Sequence, residues 1–120
     1  MIIEINELIY IITKYNNISD NYFKILTNQI KNLLKYICNN DDFFNDDKID
    51  IDIFNDVEDV YGILILHYKP TSIRNMIGLI IRILEINELK YLEKINEYKE
   101  IFNTLNKYYK TTIGNERSNN

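Results

Sequence analysis

Apolar and polar positions along this chain recur mostly with the period of a helix, and residues 54–86, FNDVEDVYGILILHYKPTSIRNMIGLIIRILEI, hold two such patterns joined at the only proline, Pro70. The first sets Val57, Val60, Tyr61, Leu64 and Tyr68 on one side, the three-and-four spacing that makes an inner stripe. It ends at Lys69, because Pro70 lacks an amide donor and restricts the residue before it. The second pattern, 72–86, is apolar almost all the way round through Ile73, Met76, Ile77, Leu79, Ile80, Ile81, Ile83 and Leu84. Its strongly polar members are Arg74, Asn75, Arg82 and Glu85, and helical spacing gathers Arg74, Arg82 and Glu85 on a narrow strip. A helix of that kind is stable only inside a shell of others. Gly78, in its middle, costs about 1 kcal/mol relative to alanine and predicts a neighbouring helix crossing closely there.

Three helix starts share one grammar: an apolar residue, a capping residue, and a second apolar residue five positions after the first. They are Ile5, Asn6 and Tyr10; Ile18, Ser19 and Phe23; and Ile86, Asn87 and Tyr91. The first helix is expected over 7–15 with Leu8, Ile12 and Tyr15 inward, stopping at Asn16 and Asn17. The second, 20–38, has an apolar face of Phe23, Leu26, Ile30, Leu33, Leu34 and Ile37 with Ile25 at its margin. The last, 88–109, turns Leu92, Ile95, Phe102, Leu105 and Tyr109 inward. Residues 39–50 are rich in turn formers and read as an acidic loop, with Phe43 and Phe44 as anchors onto the core. The IDIDIF run at 49–54 alternates with the period of a strand, so a two-stranded or edge element there is the alternative to a helix starting near 52–55.

These patterns place the chain in the all-α class: one helical domain over 1–112, then a flexible polar tail over 113–120. Its 120 residues, 46% hydrophobic and 27% charged, fit one ordinary domain with one core. Alanine and tryptophan are absent while isoleucine, asparagine, tyrosine and lysine abound, a bias toward residues with AT-rich codons. Asparagine is a mediocre helix former, so the helices depend on tertiary burial more than on propensity. The single Cys38 precludes an intrachain disulfide. The opening MIIEINELIYIITKY has no positive leader and carries Glu4 and Glu7 within its apolar run. No run reaches the ~20 apolar residues of a bilayer span. The expectation is a soluble cytoplasmic protein.

Charge is uneven. Residues 1–60 carry five lysines against twelve acids, residues 61–120 nine basic residues against six acids, for a net −4. Nine acids lie between Asp41 and Asp59 with Lys48 as their one counter-charge, which disfavours phosphate binding by that segment. The inventory for catalysis is poor, and no enzyme is expected. Cys38 and His67 lie in apolar helical settings without a glycine-rich turn to expose a nucleophile. The series Asp41, Asp42, Asp46, Asp47, Asp50 and Asp52 lacks the glycine and closing glutamate of a calcium loop, so no metal and no cofactor are expected. A helix-turn-helix reading around Pro70 fails because the second helix would hide isoleucines and offer mainly Arg74 and Arg82 to nucleic acid.

With the helices in this order, the chain resembles the Bcl-2-like fold, a helical bundle around a central apolar helix. More narrowly, FNDVEDVYGILILHYKPTSIRNMIGLIIRIL resembles the poxviral Bcl-2-like immune modulators, in which an acidic-valine helix start leads through an isoleucine-rich helix and a short turn into a central helix bearing Ile-Gly-Leu. The opening LIYIITKYNN resembles that group as well. The Trp-Gly pair often found near the central helix is missing, and Asn39 stands where a death-motif helix has aspartate, so Leu34 and Cys38 do not carry that motif over. Arg74 matches the groove arginine with which relatives pair an aspartate on a partner helix. The resemblance implies a non-enzymatic protein of a host cell's cytoplasm that binds host signalling or apoptosis proteins, inhibiting NF-κB activation or cell death. It also implies a homodimer through helix faces. Arg74, Tyr61 and Ile77 are the protein-binding candidates. The alternative is a small acidic immunity, antitoxin or DNA-mimic protein neutralising a basic partner through 41–59.

Overall fold

The computed structural model describes residues 1–13, 19–38 and 48–118 of the chain. Two short strands and five helices follow one another among them: β1 (Ile2–Glu4), α1 (Ile5–Thr13), α2 (Asp20–Cys38), β2 (Lys48–Asp50), α3 (Val57–His67), α4 (Pro70–Leu84) and α5 (Glu88–Ser118). Short 3-10 turns, Ile51–Phe54 and Glu85–Asn87, lead into α3 and α5. The predominantly helical character expected from the pattern is present.

The eight apolar residues of α4 named above are all buried, with Ile77, Ile80, Ile83 and Leu84 fully so. Helix α4 packs against α5, α1 and α3 and against the turn before α3. Pro70 occupies its first turn, where the missing amide has no intrahelical partner to lose. Phe102 of α5 lies over Gly78, as a close crossing requires, yet a methyl group added there would sit 3.4 Å from the ring, an ordinary contact. The crossing therefore accepts glycine without demanding it.

Helix α2 follows its expected face: Leu26, Ile30, Leu33 and Leu34 are buried, Phe23 and Ile37 pack partly against the core, and Ile25 is 44% exposed. Ser19 caps it, its hydroxyl accepting from the Tyr22 amide at 3.1 Å. The other two expected caps are not used. The chain pairs as β1 up to Glu4 and α1 begins at Ile5, leaving Asn6 inside the helix. Asn87 closes a 3-10 turn whose first residue, Glu85, and flanking residues, Leu84 and Glu88, all keep helical dihedrals, so α4 passes into α5 with no free helix start to cap. Tyr15, Ile18, Phe43 and Phe44 lie outside the described residues.

The strand alternative at 49–54 is realised in its first part. β1 and β2 pair antiparallel with Ile3 opposite Ile49, flanked by Ile2 opposite Asp50 and Glu4 opposite Lys48. Ile3 and Ile49 are buried while Ile2 and Glu4 face out, so one apolar pair docks this small ladder and an opposite-charge pair borders it. Two short strands are marginal alone, and burial of that pair supplies what hydrogen bonds cannot. Beyond β2 the run tightens into a 3-10 turn capped by Asp50, whose carboxylate accepts from the Asp52 amide at 3.1 Å. Helix α3 then starts at Val57, capped by Asp56 through the Asp59 amide at 3.1 Å.

Helix α5 corrects the sequence reading of its inner face. Leu92 is 47% exposed, and the buried stripe is Tyr91, Ile95 and Tyr98, continued by the half-buried Ile101, Phe102 and Leu105. It also runs on to Ser118, past the end expected at 109. Tyrosine occupies these core positions because each hydroxyl finds an acceptor. The Tyr98 hydroxyl donates to the Phe54 carbonyl oxygen at 2.6 Å, and the Tyr91 hydroxyl to Asp52 Oδ1 at 2.5 Å.

Candidate functional groove

Two helices each offer one stripe to a cavity of about 370 Å³. From α2 come Tyr22, Ile25, Leu26 and Gln29, and from α4 Arg74, Asn75, Gly78, Leu79 and Arg82, with Phe102 of α5 at the base. Spacings of three and four residues explain both sets, since they bring successive turns onto one face. The volume is at the small end of the ~300–1,000 Å³ typical of binding pockets, enough to seat a few side chains of a partner.

Its lining is divided in a useful way. Leu26, Leu79 and Phe102 belong to the core and its margin, whereas Tyr22 and Ile25 are 42% and 44% exposed at the rim. Arg74 and Arg82 stand two turns apart along α4, and none of the described lining residues is acidic. The Arg74 guanidinium donates through Nη1 to Asn106 Oδ1 at 3.0 Å, which ties the side chain to α5 and holds it in place. Arg82 is exposed. A basic, partly apolar groove on a chain of net −4 is a local inversion of the molecule's charge. It suits an anionic group carried beside apolar ones.

Of the three protein-binding candidates, Arg74 lines this groove. Tyr61 packs half-buried against the core from α3, and Ile77 is fully buried under the neighbouring helices; neither reaches the cavity lining. Glu85, expected on the same strip as the arginines, is also absent from it. Sequence reasoning missed Tyr22, Gln29 and Phe102, because the meeting of α2, α4 and α5 around one cavity is not legible from any of these helices alone.

The acidic segment is engaged elsewhere, where the structure describes it. Asp50 and Asp56 cap the elements that follow them. Asp52 accepts from Tyr91, and the Lys90 ammonium and the amino group of Met1 stand 3.6 and 3.5 Å from its carboxylate. The Tyr91 hydrogen bond, with those charges behind it, holds the Asp52 carboxyl below its usual range despite partial desolvation. Burial first, then the Asp52 carboxylate, pushes the Tyr91 hydroxyl above its ordinary value, and burial does the same at Tyr98. Asp41, Asp42, Asp46 and Asp47 lie outside the described residues.

The His67 ring stacks on Tyr36, centroids 4.1 Å apart and 12° from parallel, with Tyr68 edge-on to Tyr36 at 5.6 Å. The side chain of Cys38 lies outside the described residues. Among the described residues, no three His, Cys, Asp or Glu side chains are placed to hold a metal ion, and no helix is long and apolar enough to cross a membrane. Compared with protein-family models, with curated proteins and with solved structures, the chain matches none.

Proposed function

We propose that this chain is a non-enzymatic binding protein whose groove between α2 and α4 receives an amphipathic helix of a partner, with acidic side chains meeting Arg74 and Arg82. The observation that carries the reading is the groove itself: two arginines along one helix, an apolar base of Leu26, Leu79 and Phe102, and an exposed rim of Tyr22 and Ile25. A helix lying across it would seat apolar residues on the base and bring carboxylates within charge-assisted hydrogen-bonding reach of the guanidinium groups. The finer form is a Bcl-2-like viral protein acting in the host cytoplasm on signalling or apoptosis proteins. It is supported by the resemblance of residues 54–84 and by the burial of all eight apolar residues of α4; the fold alone does not fix the partner.

The test is a pair of reporter assays, for NF-κB activation and for induced cell death, in mammalian cells expressing the chain or its Ile25→Glu/Arg82→Glu variant. Both changes fall on exposed positions, so folding is retained and circular dichroism verifies it. The expected outcome is suppression of one response by the unaltered chain and loss of suppression in the variant. No effect on either response overturns the finer reading. A partner captured equally well by both chains overturns the groove as its site.

A further inference from the structure

Gly78 stands in the groove without a reason in the packing. The crossing with α5 tolerates a β-carbon there, at 3.4 Å from the Phe102 ring, yet glycine inside a helix costs about 1 kcal/mol against alanine. What the missing side chain leaves is room, because Gly78 lines the cavity together with Phe102, Leu26 and Leu79. One turn before it and one turn after it stand Arg74 and Arg82, which line the cavity as well. Residues at i, i+4 and i+8 form a ridge inclined about 26° to the helix axis. This ridge has a cation at each end and a gap in the middle. At a rise of 1.5 Å per residue, its ends lie about 12 Å apart along α4.

The two ends of the ridge are not equivalent. Arg74 is tied to Asn106 of α5 by its 3.0 Å hydrogen bond, whereas Arg82 is exposed. The first therefore fixes where an anion binds, and the second answers to how far away the next anion lies. A ridge with a gap is complemented by a ridge with a knob: on a partner helix, an acid, an apolar residue four positions on, and a second acid four positions further. A helix whose own row of this spacing runs parallel to the ridge crosses α4 at about −50°, the commonest packing of helices. Each carboxylate then meets a guanidinium, and the apolar side chain enters the gap over Phe102. We infer that Arg74, Gly78 and Arg82 select helices bearing two carboxylates eight residues apart with an apolar residue midway, a selection that rests on the groove being a helix-binding site as proposed above. Arg82 is its specificity-determining residue, because a second acid in any other register faces away from it.

Fluorescence anisotropy of labelled amphipathic peptides with the full chain is the test. The reference peptide carries Glu, Leu and Glu at four-residue steps. In a control of the same composition the second glutamate is moved two positions on, which turns it about 200° round its helix. The reference is expected to bind at least about tenfold more tightly, the worth of one charge-assisted contact. Arg82→Glu, a change at an exposed position, removes that preference. A peptide with one of its two glutamates replaced by lysine then binds this variant at least about tenfold more tightly than it binds the unaltered chain, a reversal that damage to the fold cannot produce. Which of the two replacements does so reports the direction of the bound helix. Gly78→Leu fills the gap and abolishes binding of the reference peptide, with circular dichroism verifying the fold. Equal affinity for reference and control overturns the inference and leaves the groove as a helix site of another register. Binding of neither peptide up to about 1 mM overturns the helix site together with it. Reversal by neither lysine peptide, or unaltered binding by Gly78→Leu, overturns the inference alone.

Discussion

Helices α3 and α4 are written in nearly the same alphabet and end in opposite circumstances. Both are rich in isoleucine and leucine, both carry a glycine near the middle, and they are joined by a turn of two residues at Tyr68 and Lys69. In α4 all eight Ile, Leu and Met residues are buried, whereas in α3 Ile65 and Leu66 face outward. The glycines differ in the same sense: Phe102 approaches Gly78, and nothing approaches Gly62. Apolar content decides how much surface a helix would gain by burying, but neighbours decide how much it does bury. Helix α4 has α5 along its length and α1 and α3 beside it; the outer half of α3 has none among the described residues.

The sharpest way to break that contrast is to truncate one aliphatic residue in each helix. Ile77→Ala is expected to cost about 2–5 kcal/mol, by lost burial and the cavity left behind, and Leu66→Ala less than about 0.5 kcal/mol. Urea midpoints measure both, and equal losses would erase the distinction. A smaller effect probes the shell around α4. Tyr98→Phe leaves the Phe54 carbonyl without its donor and is expected to cost about 1–2 kcal/mol.

The same tyrosines predict alkaline sensitivity. Burial raises the hydroxyl pKa of Tyr68, Tyr91 and Tyr98 above the ordinary 10.0. A raised pKa in the folded state stabilises fully below the unfolded value and is lost as pH climbs past it. Stability is therefore expected to fall above pH 10, measurably less in Tyr98→Phe than in the unaltered chain. The smallest effects compare the glycines directly. Gly62→Ala is expected to raise stability by about 0.5–1 kcal/mol, through helix propensity alone. Gly78→Ala gains as much only if Phe102 accepts the new methyl, so a shortfall at 78 would measure how tightly α5 crosses.

What was legible in the sequence was periodicity within single helices. The faces of α2 and α4 follow from spacing, and Ser19 as a cap follows from a local hydrogen bond over three residues. What escaped depended on distant partners. Asn6 looks like a cap until Ile3 pairs with Ile49, a contact across the molecule that moves the start of α1 to Ile5. Tyr91 and Tyr98 have the right spacing for an inner stripe, but a buried hydroxyl is tolerable only because acceptors arrive from Asp52 and Phe54, 39 and 44 residues earlier. The groove shows the same limit. Arg74 was found on its own helix, while Tyr22, Gln29 and Phe102 joined it only through packing.

The passage from α4 to α5 through a three-residue 3-10 turn has a kinetic consequence. These two helices meet by closing almost no loop, whereas Ile3 must find Ile49 across most of the first half of the chain, and the entropy of closure rises with the length enclosed. Local contacts form fastest, so the α4–α5 hairpin nucleates and the amino-terminal ladder zips on last. Pulsed hydrogen exchange during refolding should find the amides of Ile80 and Ile95 protected before that of Ile51, whose bond to the Met1 carbonyl closes the ladder's end.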